Sequence, residues 1–158
     1  MRNRLVGSLV VAVSVLFLTS SLAQADDNWL GTWKLNPAKS KVTPGPGPKS
    51  QTLTFEKKDG AFQLTTDTVD ADGKALHGGY VAPFDGKEVA FAGNPDADTT
   101  APKRVDANHY TNTWKKGGKV TRAIKATVAP GGKVLTIIQT GTDAKGRAYH
   151  STAVFEKQ

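Results

Sequence analysis

Few of the side chains that commonly carry out catalysis are present in this sequence. It contains no cysteine and three histidines, so a cysteine nucleophile is excluded. No serine lies in the Gly-x-Ser-x-Gly turn that presents the nucleophile of many hydrolases. The residue alternation around the histidines, His77, His109 and His150, predicts that they face solvent. The sequence therefore predicts that the protein is not an enzyme.

Metal and cofactor sites are not predicted either. Asp96 and Asp98 lie close together in sequence, but two carboxylates in a loop are more typical of a capped turn than of a calcium site. His77 lacks the local spacing to other ligands that zinc sites show. A phosphate-binding glycine loop precedes a helix, and no segment after residue 25 has a helical period. We expect no metal ion and no cofactor.

Polar residues among inward-facing aromatic residues indicate binding without catalysis. Asn112 lies between Tyr110 and Trp114 in one alternating segment, and Arg122 lies between Val120 and Ile124 on the inward face of the next. A buried guanidinium requires acceptors. It can pair with a core carboxylate or backbone carbonyls, reach water at a rim, or bind the anionic head of an amphipathic ligand. The residues predicted to contact such a ligand are Phe62, Tyr80, Tyr110, Asn112, Trp114 and Arg122.

The elements that must position these side chains are short strands separated by tight turns. Asp-Gly and Gly-Gly pairs recur along the chain, and they supply the positive φ angles of hairpins. Segments with period-two alternation lie between them, about ten in all. We predict an all-β fold, an antiparallel up-and-down meander closed into a barrel of about 8–10 strands, because closure removes exposed edges. Residues 29–35 and 149–156 would then pair, and a β-sandwich is the alternative.

Three segments depart from regular alternation. Residues 36–49 contain four prolines, which lack the ladder donor, so an ordered loop or extended strap is predicted there and no central strand. Residues 93–102 form a short acidic loop. Residues 134–140 are apolar on both sides, which predicts a strand covered on both faces.

The N-terminal segment predicts export. Arg2 and Arg4 precede an apolar run that ends near an Ala-Gln-Ala sequence, which is the pattern of a secretory signal peptide. We therefore expect residues 1–25 to be a signal peptide and residues 26–158 to be a single β-barrel domain in the periplasm or outside the cell. No membrane insertion is expected after cleavage. The formal net charge is +7, but the lysines are scattered, so no nucleic-acid partner is predicted.

Parts of the chain resemble known proteins. The Gly31-Thr32-Trp33 sequence at the first predicted strand resembles the first motif of lipocalins and the wider calycin group. This resemblance implies that Trp33 closes one end of a barrel, with a late arginine, Arg147, packed across it. Thr142-Asp143 is loosely similar to the second lipocalin motif. The segments 31–36, 38–41, 44–46, 93–99 and 103–108 are similar to a family of small secreted bacterial proteins without an assigned activity.

Two functions are consistent with these observations. In the first, an exported lipocalin-like barrel binds a small hydrophobic or amphipathic ligand without turnover. In the second, the barrel is solid and acts as a protein-interaction or inhibitor module through the loops 36–49 and 93–102, because rigid scaffolds often present binding loops. The volume inside the barrel distinguishes the two.

Overall fold

A computed structural model of the chain describes residues 27–142 and 146–158. The predicted signal peptide, residues 1–25, lies outside the described residues. No helix in the described ranges is long and apolar enough to cross a membrane. The strands found there are β1 (Gly31–Leu35), β2 (Lys41–Thr43), β3 (Ser50–Lys58), β4 (Ala61–Val69), β5 (Ala75–Ala82), β6 (Val89–Ala90), β7 (Thr99–Thr100), β8 (Lys103–Arg104), β9 (His109–Lys116), β10 (Lys119–Val128), β11 (Val134–Thr142) and β12 (Ala148–Lys157).

The strands form one continuous antiparallel sheet. Its order is β5-β4-β3-β1-β12-β11-β10-β9-β7-β6, with β2 beside β12 and β8 beside β9. Neighbours in the sheet are mostly neighbours in sequence, so the predicted meander is confirmed. The first and last strands pair as expected, with Leu35 opposite Phe155. A single sheet excludes the alternative of two packed sheets.

The sheet curls until its two ends nearly meet. Gly79 in β5 and Ala92, just after β6, exchange two backbone hydrogen bonds of 3.0 and 3.1 Å. Glycine is required at this seam because the backbones approach closely. A Cβ at Gly79 would lie 2.3 Å from the Leu64 carbonyl oxygen, and one at Gly93 would lie 1.9 Å from that of His77. The result is a nearly closed barrel of ten strands.

One end of the barrel is filled by two tryptophans. Trp29 and Trp33 are fully buried, and the Trp33 indole donates to the Trp29 carbonyl oxygen over 2.9 Å. The Trp29 indole donates to the Ala107 carbonyl oxygen over 3.0 Å. β1 begins at Gly31, so the predicted strand 29–35 was too long at its start. The segment before it lies across the barrel end, held by a 3.0 Å ion pair between Asp27 and Arg104.

Two details of side-chain facing differ from prediction. Val120 was expected on the inward face with Arg122 but is 58% exposed, because the pairing of β9 and β10 shifts by one residue between these positions. Such a bulge reverses the alternation on one side of it. The expected cover on both faces of residues 134–140 is also wrong, because Ile138 is 40% exposed while Leu135 and Ile137 face the core.

The proline-rich segment 36–49 is an ordered strap along the barrel. It begins with a single 3-10 turn, Pro37–Lys39, whose first backbone groups are capped by the Asn36 side chain. It continues into β2, which pairs with β12 outside the main strand order, Val42 lying opposite Ser151. The prediction that no central strand forms here is confirmed.

Candidate ligand-binding cavity

The barrel is hollow. Its cavity has a volume of about 690 Å³, which lies within the usual range for small-molecule sites. Buried side chains from β3, β4, β5, β9, β10 and β12 line the inner part, among them Leu53, Leu64, Tyr80, Tyr110, Ile124 and Phe155. Exposed residues such as Pro46 and Asp72 line the outer part. The cavity therefore opens to solvent at the end opposite the tryptophans.

Five of the six residues predicted to contact a ligand line this cavity: Tyr80, Tyr110, Asn112, Trp114 and Arg122. Phe62 does not line it. Its ring packs against Phe84 with the centroids 5.0 Å apart, and the Arg104 guanidinium lies 5.0 Å from its centroid. Alternation predicted the correct face for Phe62 but not its depth along the barrel. Ligand contact at the other five residues stays a prediction.

Aromatic rings form much of one inner wall. Phe91 contacts two of them edge to face, Tyr80 at 5.2 Å and Trp114 at 5.3 Å between centroids. Tyr110, which also lines the cavity, stacks on Phe84 with the ring centroids 5.5 Å apart. Rings in such arrangements hold one another in place and offer flat apolar surfaces to a bound molecule.

Two polar atoms in this wall are buried without a hydrogen-bond partner among the described residues: the Tyr80 hydroxyl and the Trp114 indole nitrogen. Burial raises the pKa of Tyr80 well above its usual value, and the nearby Tyr110 phenol raises it further, although the two hydroxyl groups do not meet hydrogen-bond geometry. Burial likewise raises the pKa of Tyr110. Both phenols are therefore neutral at physiological pH.

Arg122 is buried, with 3% of its side chain exposed, and its charge is compensated within the protein. Its guanidinium donates to the Asp96 carboxylate over 3.0 Å and to the backbone oxygens of Thr121 and Thr142. It also lies 3.9 Å from the ring centroid of Tyr149. Of the alternatives left open by the sequence, pairing with a carboxylate and carbonyls is the one observed.

Asn112 is also engaged in structural hydrogen bonds. Its side-chain oxygen accepts from the Thr100 hydroxyl over 2.7 Å and from the Ala101 backbone amide over 3.0 Å. These bonds tie the loop 93–102 to β9. The carboxylates of that loop act in the same way, since Asp98 accepts from the Gly117 amide over 2.8 Å.

Both irregular segments border the cavity mouth. From the strap, the prolines Pro37, Pro44, Pro46 and Pro48 line the cavity. From the loop 93–102, Asn94, Pro95 and Asp96 line it. The sequence singled out both segments but did not indicate that they meet around one opening.

Several cavity residues were not among the predicted contacts. Leu53, Leu64, Phe91, Gln139 and Tyr149 line the cavity. Tyr149 could have been found, because it shares the alternation of Ser151, Ala153 and Phe155 in the last predicted strand. Gln139 was obscured by the apolar residues around it.

The histidines lie on the outside, as predicted. His77 contacts Asp67 at 2.6 Å and His109 contacts Asp106 at 2.8 Å, all four exposed. Backbone hydrogen bonds from Asn108 and the contact with His109 lower the pKa of Asp106. Within residues 27–142 and 146–158, no three His, Asp or Glu side chains are grouped closely enough to hold a metal ion.

Comparison with known proteins gives matches among solved structures but none among family models or curated proteins. Among solved structures, it resembles the zebrafish ileal bile acid-binding protein complexed with cholic acid, at 10% sequence identity and a TM-score of 0.49. The match covers 83% of this chain and 99% of that one. A likeness at this level says nothing about what the present chain binds.

The chain has a calycin-like barrel fold. The strand order, the pairing of β1 with β12 and the hollow interior together define it. In this calycin-like barrel a late cation does lie over Trp33, but it is Lys157, at 5.0 Å from the ring centroid. Arg147, which the resemblance suggested for this place, instead lines the cavity. Asp143 of the second motif lies outside the described residues.

Proposed function

We propose that this protein is an exported calycin-like barrel that binds a small, mostly apolar or amphipathic molecule without turnover, in the periplasm or outside the cell. The observation that carries the proposal is the hollow interior, about 690 Å³ and lined largely by aromatic and aliphatic side chains. Such a space can remove most of a small ligand's apolar surface from water, which favours binding by about 25 cal/mol for each Å².

Binding without turnover is supported by the state of Asp96, Asn112 and the two phenols in the inner wall. A catalytic acid or base needs a proton-exchanging group within reach of the substrate. Asp96 is paired with Arg122, and the Asn112 side-chain oxygen already accepts two hydrogen bonds. The two phenols, Tyr80 and Tyr110, hold their protons tightly. These groups support the wall and its shape.

Native mass spectrometry of the protein purified gently after export from its own host tests this proposal. We expect a polypeptide that begins at Asp26, with a discrete extra mass that disappears on denaturation. A variant with a partly filled cavity, Ala153→Trp, is the matched control and should carry less of that mass, because Ala153 lines the cavity from β12.

Delipidated protein is then exposed to a solvent extract of the host, which covers the case of a ligand lost during purification. A bare polypeptide both before and after this step would contradict ligand binding. A mass that includes residues 1–25 would contradict export with cleavage.

The interaction-module alternative predicts a different pattern. It requires a solid barrel with binding confined to the loops 36–49 and 93–102, and the observed cavity argues against the solid barrel. Both loops border the cavity mouth, so a role in enclosing the cavity accounts for their ordered conformation. A bare mass together with a co-purifying protein that is lost on changing the loops would favour the alternative.

A further inference from the structure

The cavity wall contains two hydrogen-bonding groups that the protein itself does not use. The Trp114 indole nitrogen and the Tyr80 hydroxyl are buried with no partner among the described residues, although the large majority of buried side-chain polar atoms in proteins are hydrogen-bonded. Tyr80 is only 5% exposed. A buried donor left without an acceptor costs about 1–3 kcal/mol. An acceptor supplied from outside would recover this free energy.

Both groups belong to aromatic side chains that pack against the same ring. Phe91 packs edge to face against both Tyr80 and Trp114, and all three side chains line the cavity. Because both polar atoms are shielded from water, we expect an entering ligand to shift the Phe91 ring. Movement of this one ring would therefore bear on access to both unpartnered groups.

The charge of the cavity wall determines which kind of acceptor fits. Arg122 is already paired with Asp96 and with two carbonyl oxygens, so its charge is not available to an anionic head group. An indole N–H can only donate, and a phenol that keeps its proton can donate as well. Arg147 also lines the cavity, but it is exposed to solvent, whereas the two unpartnered groups are buried. An anion brought next to these buried groups would lose its hydration. A neutral acceptor oxygen loses far less.

We propose that the ligand is uncharged and carries a carbonyl or ether oxygen that accepts a hydrogen bond from Trp114, from Tyr80 or from both, with a flat apolar body against Phe91. This proposal rests on the proposed function, because it assumes that the cavity binds a small molecule. It replaces the anionic head group that the sequence suggested for Arg122.

Three naphthalenes of similar size test the proposal: 2-acetylnaphthalene, which is neutral and has a carbonyl oxygen, 2-ethylnaphthalene, which has no acceptor, and 2-naphthoate, which is an anion. Their affinities are measured by isothermal titration calorimetry with the exported protein after delipidation. We expect the ketone to bind about tenfold more tightly than the ethyl compound, the ratio that one net hydrogen bond gives. The anion should bind most weakly.

Single variants test whether the preference for the ketone over the ethyl compound depends on the Trp114 indole nitrogen or on the Tyr80 hydroxyl. Trp114→Phe and Tyr80→Phe remove the polar atom and keep an aromatic ring, so the ketone-to-ethyl ratio should fall towards one in at least one of them. Tyr149→Phe is the control and should keep the ratio, because the Tyr149 hydroxyl is not among the buried unpartnered atoms. In the empty protein, Tyr80→Phe should not lower the thermal unfolding midpoint, since its hydroxyl has no bond to lose.

Each result is decisive. Equal binding of ketone and ethyl compound, a preference that persists in both variants, or tightest binding of the anion would overturn this proposal while leaving small-molecule binding intact. A lowered unfolding midpoint in Tyr80→Phe would overturn the role of Tyr80, because the hydroxyl would then be bonded within the empty protein, and the proposal would then require the ratio to fall in Trp114→Phe. Binding of none of the three by a protein that carries the discrete extra mass would contradict this proposal alone, and the absence of both would contradict the proposed function as well.

Discussion

Arg122 links segments that are far apart in sequence. Its guanidinium bonds to Asp96 in the loop 93–102, to the bulge residue Thr121 in β10 and to Thr142 at the end of β11. Gly141, opposite Arg122 in β11, allows this close approach, because a Cβ there would lie 2.0 Å from the Thr121 carbonyl oxygen. Because its donors bond within the protein, Arg122 is expected to contribute mainly to the stability of the fold and less to ligand binding.

Arg122→Leu should therefore destabilise the protein by about 3–5 kcal/mol, because it leaves a partly buried carboxylate and two carbonyl oxygens without their donor. Arg122→Lys should lose less but not recover the wild-type value, since an ammonium lacks the planar fork of donors. Urea unfolding measures both. Lys125→Leu, an exposed change on the same strand, serves as control and should stay within about 0.5 kcal/mol. A stable Arg122→Leu protein with weakened ligand binding would restore the ligand-anchor role.

The seam between β5 and β6 is the weakest pairing around the ring. It consists of one bridge, Gly79 with Ala92, whereas β3 and β4 pair along their whole length. The seam depends on missing side chains, as the close approach of Gly79 to the Leu64 carbonyl shows.

Gly79→Ala should lower the free energy of unfolding by about 2–3 kcal/mol, because the added methyl group meets backbone that cannot move aside easily. Gly131→Ala is the matched control. Gly131 has open space around it and a φ of +90°, so the control loses only about 1 kcal/mol through backbone strain. Thermal or urea unfolding compares the two. An equal loss in both variants would show that the seam tolerates a side chain.

For the strands, the sequence predicted which ones pair better than it predicted bulges and the facing of single side chains. Turn residues and alternation predicted the meander and the pairing of first and last strands, because both depend on local patterns and on the need to remove edges. The bulge at Thr121 was not predictable, since the alternation within β10 does not show where its register with β9 shifts. Ile138 was misassigned because an apolar side chain can remain exposed on a barrel surface.

The hollow interior is a property of the whole molecule that the sequence could not show. Inward-facing residues such as Tyr80 and Trp114 are predicted equally by a filled and by an empty barrel. The difference depends on barrel radius and on how far each ring reaches, and Phe62 shows that position along the barrel is not encoded in alternation. The strap and the loop 93–102 were recognised as irregular, but their meeting at one opening required the three-dimensional fold.

The stability of the whole barrel should depend on alkaline pH. Burial raises the pKa of Tyr80 and of Tyr110 in the folded state, whereas both have a pKa of about 10 when unfolded. Because folding favours the neutral phenols, their full contribution to the free energy of unfolding is present below about pH 10. This contribution is lost as the pH rises from there towards the pKa values of the folded state.

Thermal melts followed by circular dichroism between pH 8 and 12 measure this effect. The wild-type midpoint should fall more steeply above about pH 10 than that of a Tyr80→Phe, Tyr110→Phe double variant. Phenolate absorbance from these two residues should appear only with unfolding. Parallel declines in the two proteins would contradict the prediction.

The position of β12 in the ring has a consequence for how the chain acquires its structure during synthesis. β12 pairs with β1, β2 and β11, so the first and the last of the described strands are direct neighbours. Local hairpins such as β3–β4 can form as they leave the ribosome, but the edge of β1 that faces β12 has no partner until β12 is made. Closing so long a loop is slow compared with forming a hairpin. A nascent chain of this protein therefore cannot complete its barrel until β12 has been made.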